Sequence, residues 1–143
     1  MSEESSEERV ARLNEFASRK HPGMVGVEIL TCSKKEVTGQ FRVTEAVVAG
    51  TGFLWAPVVI TLADWLCAAG IGEHIDFEKA GFTTIELKTN FMGTAREGDL
   101  VFGRARPVHL GRTTQVWDVE IINQAAEKTI ALFRCTQMIL VRS

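Results

Sequence analysis

Near the start of the chain, Val10, Leu13, Phe16 and Ala17 recur at helical spacing, while Glu7, Glu8, Arg9, Arg12 and Glu15 occupy the opposite face. This predicts an amphipathic helix over residues 2–20, with acids at the positive end of its dipole and His21-Pro22-Gly23 as its stop. Residues 24–31 and 37–44 carry β-branched side chains on either side of the polar Ser33-Lys34-Lys35-Glu36, the pattern of two antiparallel strands and a short turn. Residues 46–55, with Gly50 and Gly52, read as a loop.

The next segment breaks the amphipathic pattern. Pro57 and Gly70 bracket a helix in the expected order, proline at the first position and glycine past the end. Val58, Val59, Ile60, Leu62, Ala63, Trp65, Leu66, Cys67, Ala68 and Ala69 place apolar groups all around its axis, which predicts burial on nearly every side. Asp64 is its one charged residue. After an irregular stretch at 71–81, residues 82–91, 100–110, 113–123 and 128–141 read as four long strands, and their short connections favour antiparallel hairpins. The order predicts an α+β fold in which one antiparallel sheet wraps a central apolar helix, with an extra N-terminal helix.

Composition narrows the function classes. At 143 residues and 45% apolar the chain suits one packed core. Sixteen Lys and Arg against 18 Asp and Glu leave a net charge of −2, which argues against nucleic-acid or anionic-membrane binding. No apolar run approaches the roughly 20 residues of a membrane span, and the acidic start does not resemble a secretory signal, so the expected location is cytoplasmic. Cys32, Cys67 and Cys135 have no Cys-x-x-Cys spacing and read as small buried apolar residues; with His21, His74 and His109 equally scattered, no metal site and no cofactor are expected. Phosphate-loop, dinucleotide-binding and Gly-x-Ser-x-Gly patterns are absent.

Two features carry candidate chemistry. A carboxylate set among Leu62, Ala63, Trp65 and Leu66 is either structurally paired, turned to water at a gap between subunits, or a base or nucleophile tuned by burial. The segment Gly52-Phe-Leu-Trp-Ala-Pro57 brings backbone N–H groups to a helix N-terminus, where a developing negative charge is favoured; Pro57 has no N–H, which leaves Ala56 as the donor. A plain helix start is the alternative. Thr83, Thr84, Glu86, Lys88 and Asn90 put polar groups on both faces of the 82–91 strand, so any of them is a site candidate or, for the threonines, simply a good strand former; Arg112 in the Gly-containing turn is a candidate phosphate contact or part of a plain turn.

Taken in order, Gly52-Phe-Leu-Trp-Ala-Pro-Val-Val-Ile-Thr-Leu-Ala-Asp64, Ile85-Glu-Leu-Lys-Thr-Asn-Phe91, Gly98-Asp-Leu and His109-Leu-Gly-Arg-Thr-Thr-Gln-Val-Trp-Asp-Val-Glu-Ile121 resemble the hotdog-fold acyl-CoA thioesterases. The resemblance covers residues 24–141 and is to the phenylacetate-pathway-like branch. It implies a hotdog thioesterase domain over residues 24–143, preceded by the N-terminal helix and linker at 1–23. It also implies a homodimer or homotetramer with active sites at subunit interfaces, and hydrolysis of a small-to-medium or aromatic acyl-CoA.

Carried over by position, the resemblance makes Asp64 the catalytic base or nucleophile, Ala56 N–H the oxyanion donor and Thr84 a residue that places water. Leu54 and Trp55 would contact the substrate, and Arg112 and Thr113 the CoA phosphates. That branch usually carries His-Gly-Gly where this chain has Trp55-Ala56-Pro57, so the backbone donor is kept and the imidazole is lost. A non-catalytic acyl-CoA binding protein of the same fold is the alternative.

Overall fold

The computed structural model describes residues 4–143. Helix α1 spans Ser6–Ser18 and begins with a capping box, in which Ser5 Oγ accepts from Glu8 N–H and the Glu8 carboxylate accepts from Ser5 N–H. Ser2 and Glu3, expected in this helix, lie outside the described residues. His21-Pro22-Gly23 does not simply stop the chain. It forms a separate turn of helix, α2 (His21–Met24), because Pro22 fits a first turn where its missing N–H costs nothing.

Strands β1 (Glu28–Cys32) and β2 (Val37–Arg42) form the expected hairpin. The expected loop at 46–55 is more ordered than its glycines suggest, since it follows a 3-10 turn at Glu45–Val47 and closes with a bridge between Val48 and Leu54. Helix α3 spans Ala56–Gly72 and therefore runs through Gly70. Gly70 serves a close approach rather than a helix end: a Cβ there would lie 2.4 Å from the Trp117 ring.

Strands β3 (Ala80–Phe91), β4 (Leu100–Leu110), β5 (Thr114–Asn123) and β6 (Lys128–Val141) complete one antiparallel sheet in the order β1-β2-β4-β5-β6-β3. The hairpins β4–β5 and β5–β6 form as expected, but β3 and β4 do not pair. Their connection crosses the sheet instead: Met92 and Gly93 N–H bond to Ile130 O, whereas Asp99 O accepts from Val43 N–H near β2. Residues 92–99 reach roughly 27 Å when extended, and the three strand spacings to be crossed need only about 14 Å.

The sheet curls over α3, and Leu62, Leu66, Phe41, Trp117 and Ile121 form the centre of the core. Gly39 and Gly103 let Leu66 press onto β2 and β4; a Cβ at either would sit within 2.8 Å of its methyl groups. Truncating Leu66 to Ala would cost about 2–5 kcal/mol. Burial of α3 is less complete than its composition suggests, for Thr61, Asp64, Ala68 and Gly72 are only half-buried and Ala56 and Pro57 are exposed. The protomer thus leaves one stripe of its central helix uncovered. Among the described residues, no helix is long and apolar enough to cross a membrane.

Candidate active site on the open stripe of α3

The segment before α3 is tied down by its own backbone. Ala49 N–H bonds to Phe53 O at 2.8 Å and Gly52 N–H to Ala49 O at 2.9 Å, a turn in which Gly52 takes φ +84°, a conformation costly for side-chain-bearing residues. Leu54 N–H is used by Ala95 O at 2.8 Å and Trp55 N–H by Val47 O at 3.0 Å, while Val58 N–H returns to Trp55 O. Pro57 has no N–H. Among the described residues, Ala56 N–H is therefore the open donor at the positive end of a 17-residue helix, and no side chain caps it. Beside it, Leu54 packs half-buried against the core and the Trp55 side chain is exposed.

Two turns into the helix, the open stripe carries Thr61 and Asp64. Thr61 Oγ1 donates to Pro57 O at 3.1 Å and lies 2.9 Å from His21 Nε2, so its polar capacity is spent on its own helix and on α2. Asp64 differs: no described side chain or backbone group supplies it with a hydrogen bond or counter-charge, and burial alone raises its pKa above the ordinary 3.8. Of the readings open for this carboxylate, structural pairing within the protomer has no support among the described residues.

Thr84 lies on β3, an edge strand, in register with Gln137 of β6. A bulge follows it, the register skipping between Thr84 and Glu86, and bulges commonly re-aim side chains beside sites. Gln137 was not anticipated. It is 1% exposed, yet its Oε1 has no hydrogen-bond partner among the described residues. The available signal was a polar residue in the inward series Ala131, Phe133, Cys135, Gln137, Ile139.

Arg112 and Thr113 are exposed in the β4–β5 turn, which Gly111 N–H closes onto Thr114 O at 2.9 Å. Since β5 passes Trp117 under Gly70, this turn lies toward the C-terminal end of α3, away from Ala56. The protomer accordingly groups Leu54, Trp55 and Ala56 at one end of the helix, Asp64 in its middle, Thr84 on the open edge and Arg112 with Thr113 beyond the other end.

All three cysteines are buried and free. Burial pushes the Cys32 thiol up to about 12 and the Cys67 thiol up as well, which suits neutral packing groups rather than nucleophiles. Among the described residues, no group of three or more His, Cys, Asp or Glu is placed to hold a metal ion.

Comparison with known proteins bears on this arrangement. The profile of the Thioesterase superfamily matches residues 51–130, a stretch that holds the start of α3, Asp64, Thr84 and the Arg112 turn. The 1,4-dihydroxy-2-naphthoyl-CoA hydrolase of Listeria monocytogenes is 31% identical over 112 residues, covering 78% of this chain and 89% of that protein. A mutant thioesterase from Pseudomonas aeruginosa superposes with a TM-score of 0.87 at 22% identity, over 93% of this chain and 94% of that one. The PaaI protein from the phenylacetic acid degradation operon of E. coli does so with a TM-score of 0.78 at 21% identity, over 94% and 95%. These two structures share the fold, a central helix against an antiparallel sheet, that the sequence motifs led us to expect.

Proposed function

Because this chain belongs to the Thioesterase superfamily, we propose that it hydrolyses an acyl-CoA thioester to the free carboxylic acid and CoA, with Asp64 as the reactive carboxylate. Asp64 takes the proton from an attacking water, or itself attacks the carbonyl carbon, expelling the CoA thiolate to leave a mixed anhydride that a water then hydrolyses to the free acid and the regenerated carboxylate; on either route the oxyanion that forms is met by Ala56 N–H at the helix dipole. On the water route, collapse of the intermediate breaks the C–S bond, and the proton held by Asp64 passes to the departing thiolate. Thr84 orients the water, Leu54 and Trp55 contact the substrate, and Arg112 with Thr113 receives the CoA phosphates.

The unpaired, half-buried carboxylate of Asp64 on an otherwise apolar helix carries this reading. A carboxylate held without a partner costs stability, and retention of such a group is intelligible where chemistry uses it.

Two copies are needed to complete the site. Ala56 and Asp64 are separated by about 12 Å along one helix axis, too far for both to touch one carbonyl. An antiparallel partner helix would bring the donor of one copy to the carboxylate of the other. The β3 edge supports this assembly: Ile85, Leu87 and Phe91 are 54%, 40% and 45% exposed, and α3 does not cover them. We therefore assign a homodimer paired through β3, with the active sites between subunits.

The test is thiol release from short, medium and aromatic acyl-CoA esters by the native chain and by Asp64→Asn. Asp64→Asn should lower kcat about 10²–10⁴-fold while the circular dichroism spectrum stays native. In the native chain, activity should fall on acidification with a midpoint above 3.8, because burial holds the proton on Asp64 more tightly. Turnover retained by a folded Asp64→Asn variant would remove the assignment. Binding of acyl-CoA without release by the native chain would favour the non-catalytic alternative.

A further inference from the structure

Gln137 sits where a polar side chain has least reason to be. It is buried on the inward face of β6, between Cys135 and Ile139, and its Oε1 has no hydrogen-bond partner among the described residues. Such acceptors are rare in folded chains, because an unmet carbonyl loses its bonds to water and gains nothing in return. A methionine would fill the same space without that cost.

Register decides which group can meet this oxygen. Residues directly opposite in antiparallel strands share a face, with Cβ atoms about 4.5–5.5 Å apart. Gln137 has Gln115 opposite on β5 and Thr84 opposite on β3. Gln115 turns its own oxygen to Trp117 Nε1 at 2.9 Å and leaves Gln137 Oε1 unserved. Thr84 is exposed at the open edge and carries a hydroxyl and a methyl on one Cβ. A turn about its χ1 exchanges two groups of nearly equal size, so the hydroxyl can be presented to Gln137 without opening the core.

The same strand leads to the carboxylate. The Cys135 thiol, two residues before Gln137 on the same face, is held below its ordinary value, chiefly by the Cys67 thiol beside it and further by the Gln137 amide, while burial and the Asp64 charge oppose this. Cys67 lies one turn beyond Asp64 on α3, on the same side of the helix. Strand β6 therefore reaches, within one protomer, from the Asp64 turn to Thr84, with Gln137 at the Thr84 end.

We propose that Gln137 is a positioning residue for the hydrolytic water: its Oε1 accepts the Thr84 hydroxyl proton and so fixes Thr84 Oγ1 as an acceptor for the water that Asp64 activates. The inference rests on the hydrolase reading above, by its water route, and adds what orients Thr84. A hydroxyl can donate or accept, whereas an amide oxygen only accepts. With its proton committed to Gln137, Thr84 Oγ1 offers only lone pairs to the site. The water then directs one hydrogen to Asp64 and the other to Thr84, which leaves a lone pair for the thioester carbonyl carbon. As the C–O bond forms, the first proton passes to Asp64 and the second stays on oxygen as the hydroxyl of the product acid. A Thr84 free to turn would instead donate to the water and occupy that lone pair.

The experiment compares Gln137→Met, which keeps the length but removes the acceptor, with Thr84→Val, which keeps the branched shape but removes the hydroxyl, and with the double variant. The substrate is whichever of the short, medium and aromatic acyl-CoA esters the native chain cleaves fastest. Gln137→Met should lower kcat about 5–10-fold, the worth of one hydrogen bond, with KM unchanged. Its urea midpoint should be no lower than native, since no oxygen is then buried unpaired. Thr84→Val should lower kcat at least as much, and the double variant no further than Thr84→Val alone, because Gln137 acts through the hydroxyl. A readout independent of turnover is the NMR shift of the Gln137 side-chain carbonyl carbon, which should move upfield in Thr84→Val as its donor is lost. This measurement decides the proposal should Gln137→Met fail to fold.

A folded Gln137→Met with native kcat, a fall confined to KM, or a further loss when Gln137→Met is added to Thr84→Val overturns the assignment. So does a Gln137 shift indifferent to Thr84→Val. Each of these leaves the hydrolase reading intact. Absence of turnover by the native chain is the separate outcome that removes the hydrolase reading and this role with it.

Discussion

The two edges of the sheet are finished in opposite ways. Strand β1 is five residues long and bulged between Ile29 and Thr31, and Asn14 of α1 acts as a substitute strand for it. Asn14 Nδ2 donates to Ile29 O at 2.9 Å, and Asn14 Oδ1 accepts Ile29 N–H at 2.8 Å. Strand β3 is twelve residues long and carries Ile85, Leu87 and Phe91 exposed along an uncovered edge. Sheets ordinarily shorten, bend or cover an edge to prevent pairing, which is what α1 does at β1. A long apolar edge left bare is suited to a partner strand, and in the proposed dimer it is this edge, the one that carries Thr84, that pairs.

The sharpest way to break this contrast is to charge each edge in turn. Leu87→Lys should convert a native dimer to monomer by sedimentation velocity and remove nearly all thioester turnover, because each site needs both copies. Leu30→Lys on β1 should alter neither, since that edge is already closed. A monomeric Leu87→Lys that keeps full turnover would place the whole site in one protomer.

A complementation experiment asks why the open edge is useful. Asp64→Asn subunits lack the carboxylate, and Ala56→Pro subunits lack the N–H. Proline is tolerated at the first helical position, and Trp55, with ψ 130°, already has the extended backbone that a residue before proline adopts. Each variant alone should be inactive. Refolded together in equal amounts, they should regain about a quarter of native turnover, since half the symmetric pairings are mixed and each mixed dimer rebuilds one of two sites. No recovery from verified mixed dimers would mean that donor and carboxylate act from the same copy.

Much of this architecture was legible in the chain because it is local. The unbroken apolar surface of residues 58–69 announced a central helix, and Asp64 stood out by interrupting it. The long strands were equally plain from their β-branched content. What the sequence did not reveal depends on contacts between distant residues: β3 beside β6 rather than β4, Gly70 inside its helix because Trp117 comes close, and Asn14 meeting Ile29. Gln137 shows the same limit, as its polar side chain stands out only once the inward face of β6 is known. At the candidate site, Asp64 and Ala56 were identifiable by type and place, and a site between two copies was already implied by the family resemblance; that the described residues leave Asp64 without a partner emerges only from the folded chain.

The smallest expected effect tests the closed edge itself. Asn14→Ala deletes both bonds to Ile29, and each hydrogen bond of this kind contributes about 1 kcal/mol net. The contact is only partly buried, so water can reach the released N–H and C=O, and the loss should total roughly 1–3 kcal/mol. In urea this appears as a lower midpoint with an unchanged slope. Sedimentation of dilute protein and thioester turnover should remain native, because neither β3 nor α3 is touched. Light scattering should rise on concentration, since the freed backbone of β1 becomes a second edge able to pair. Unchanged stability would show that the two bonds merely replace equivalent bonds to water, and loss of the dimer would show that the two edges are not independent.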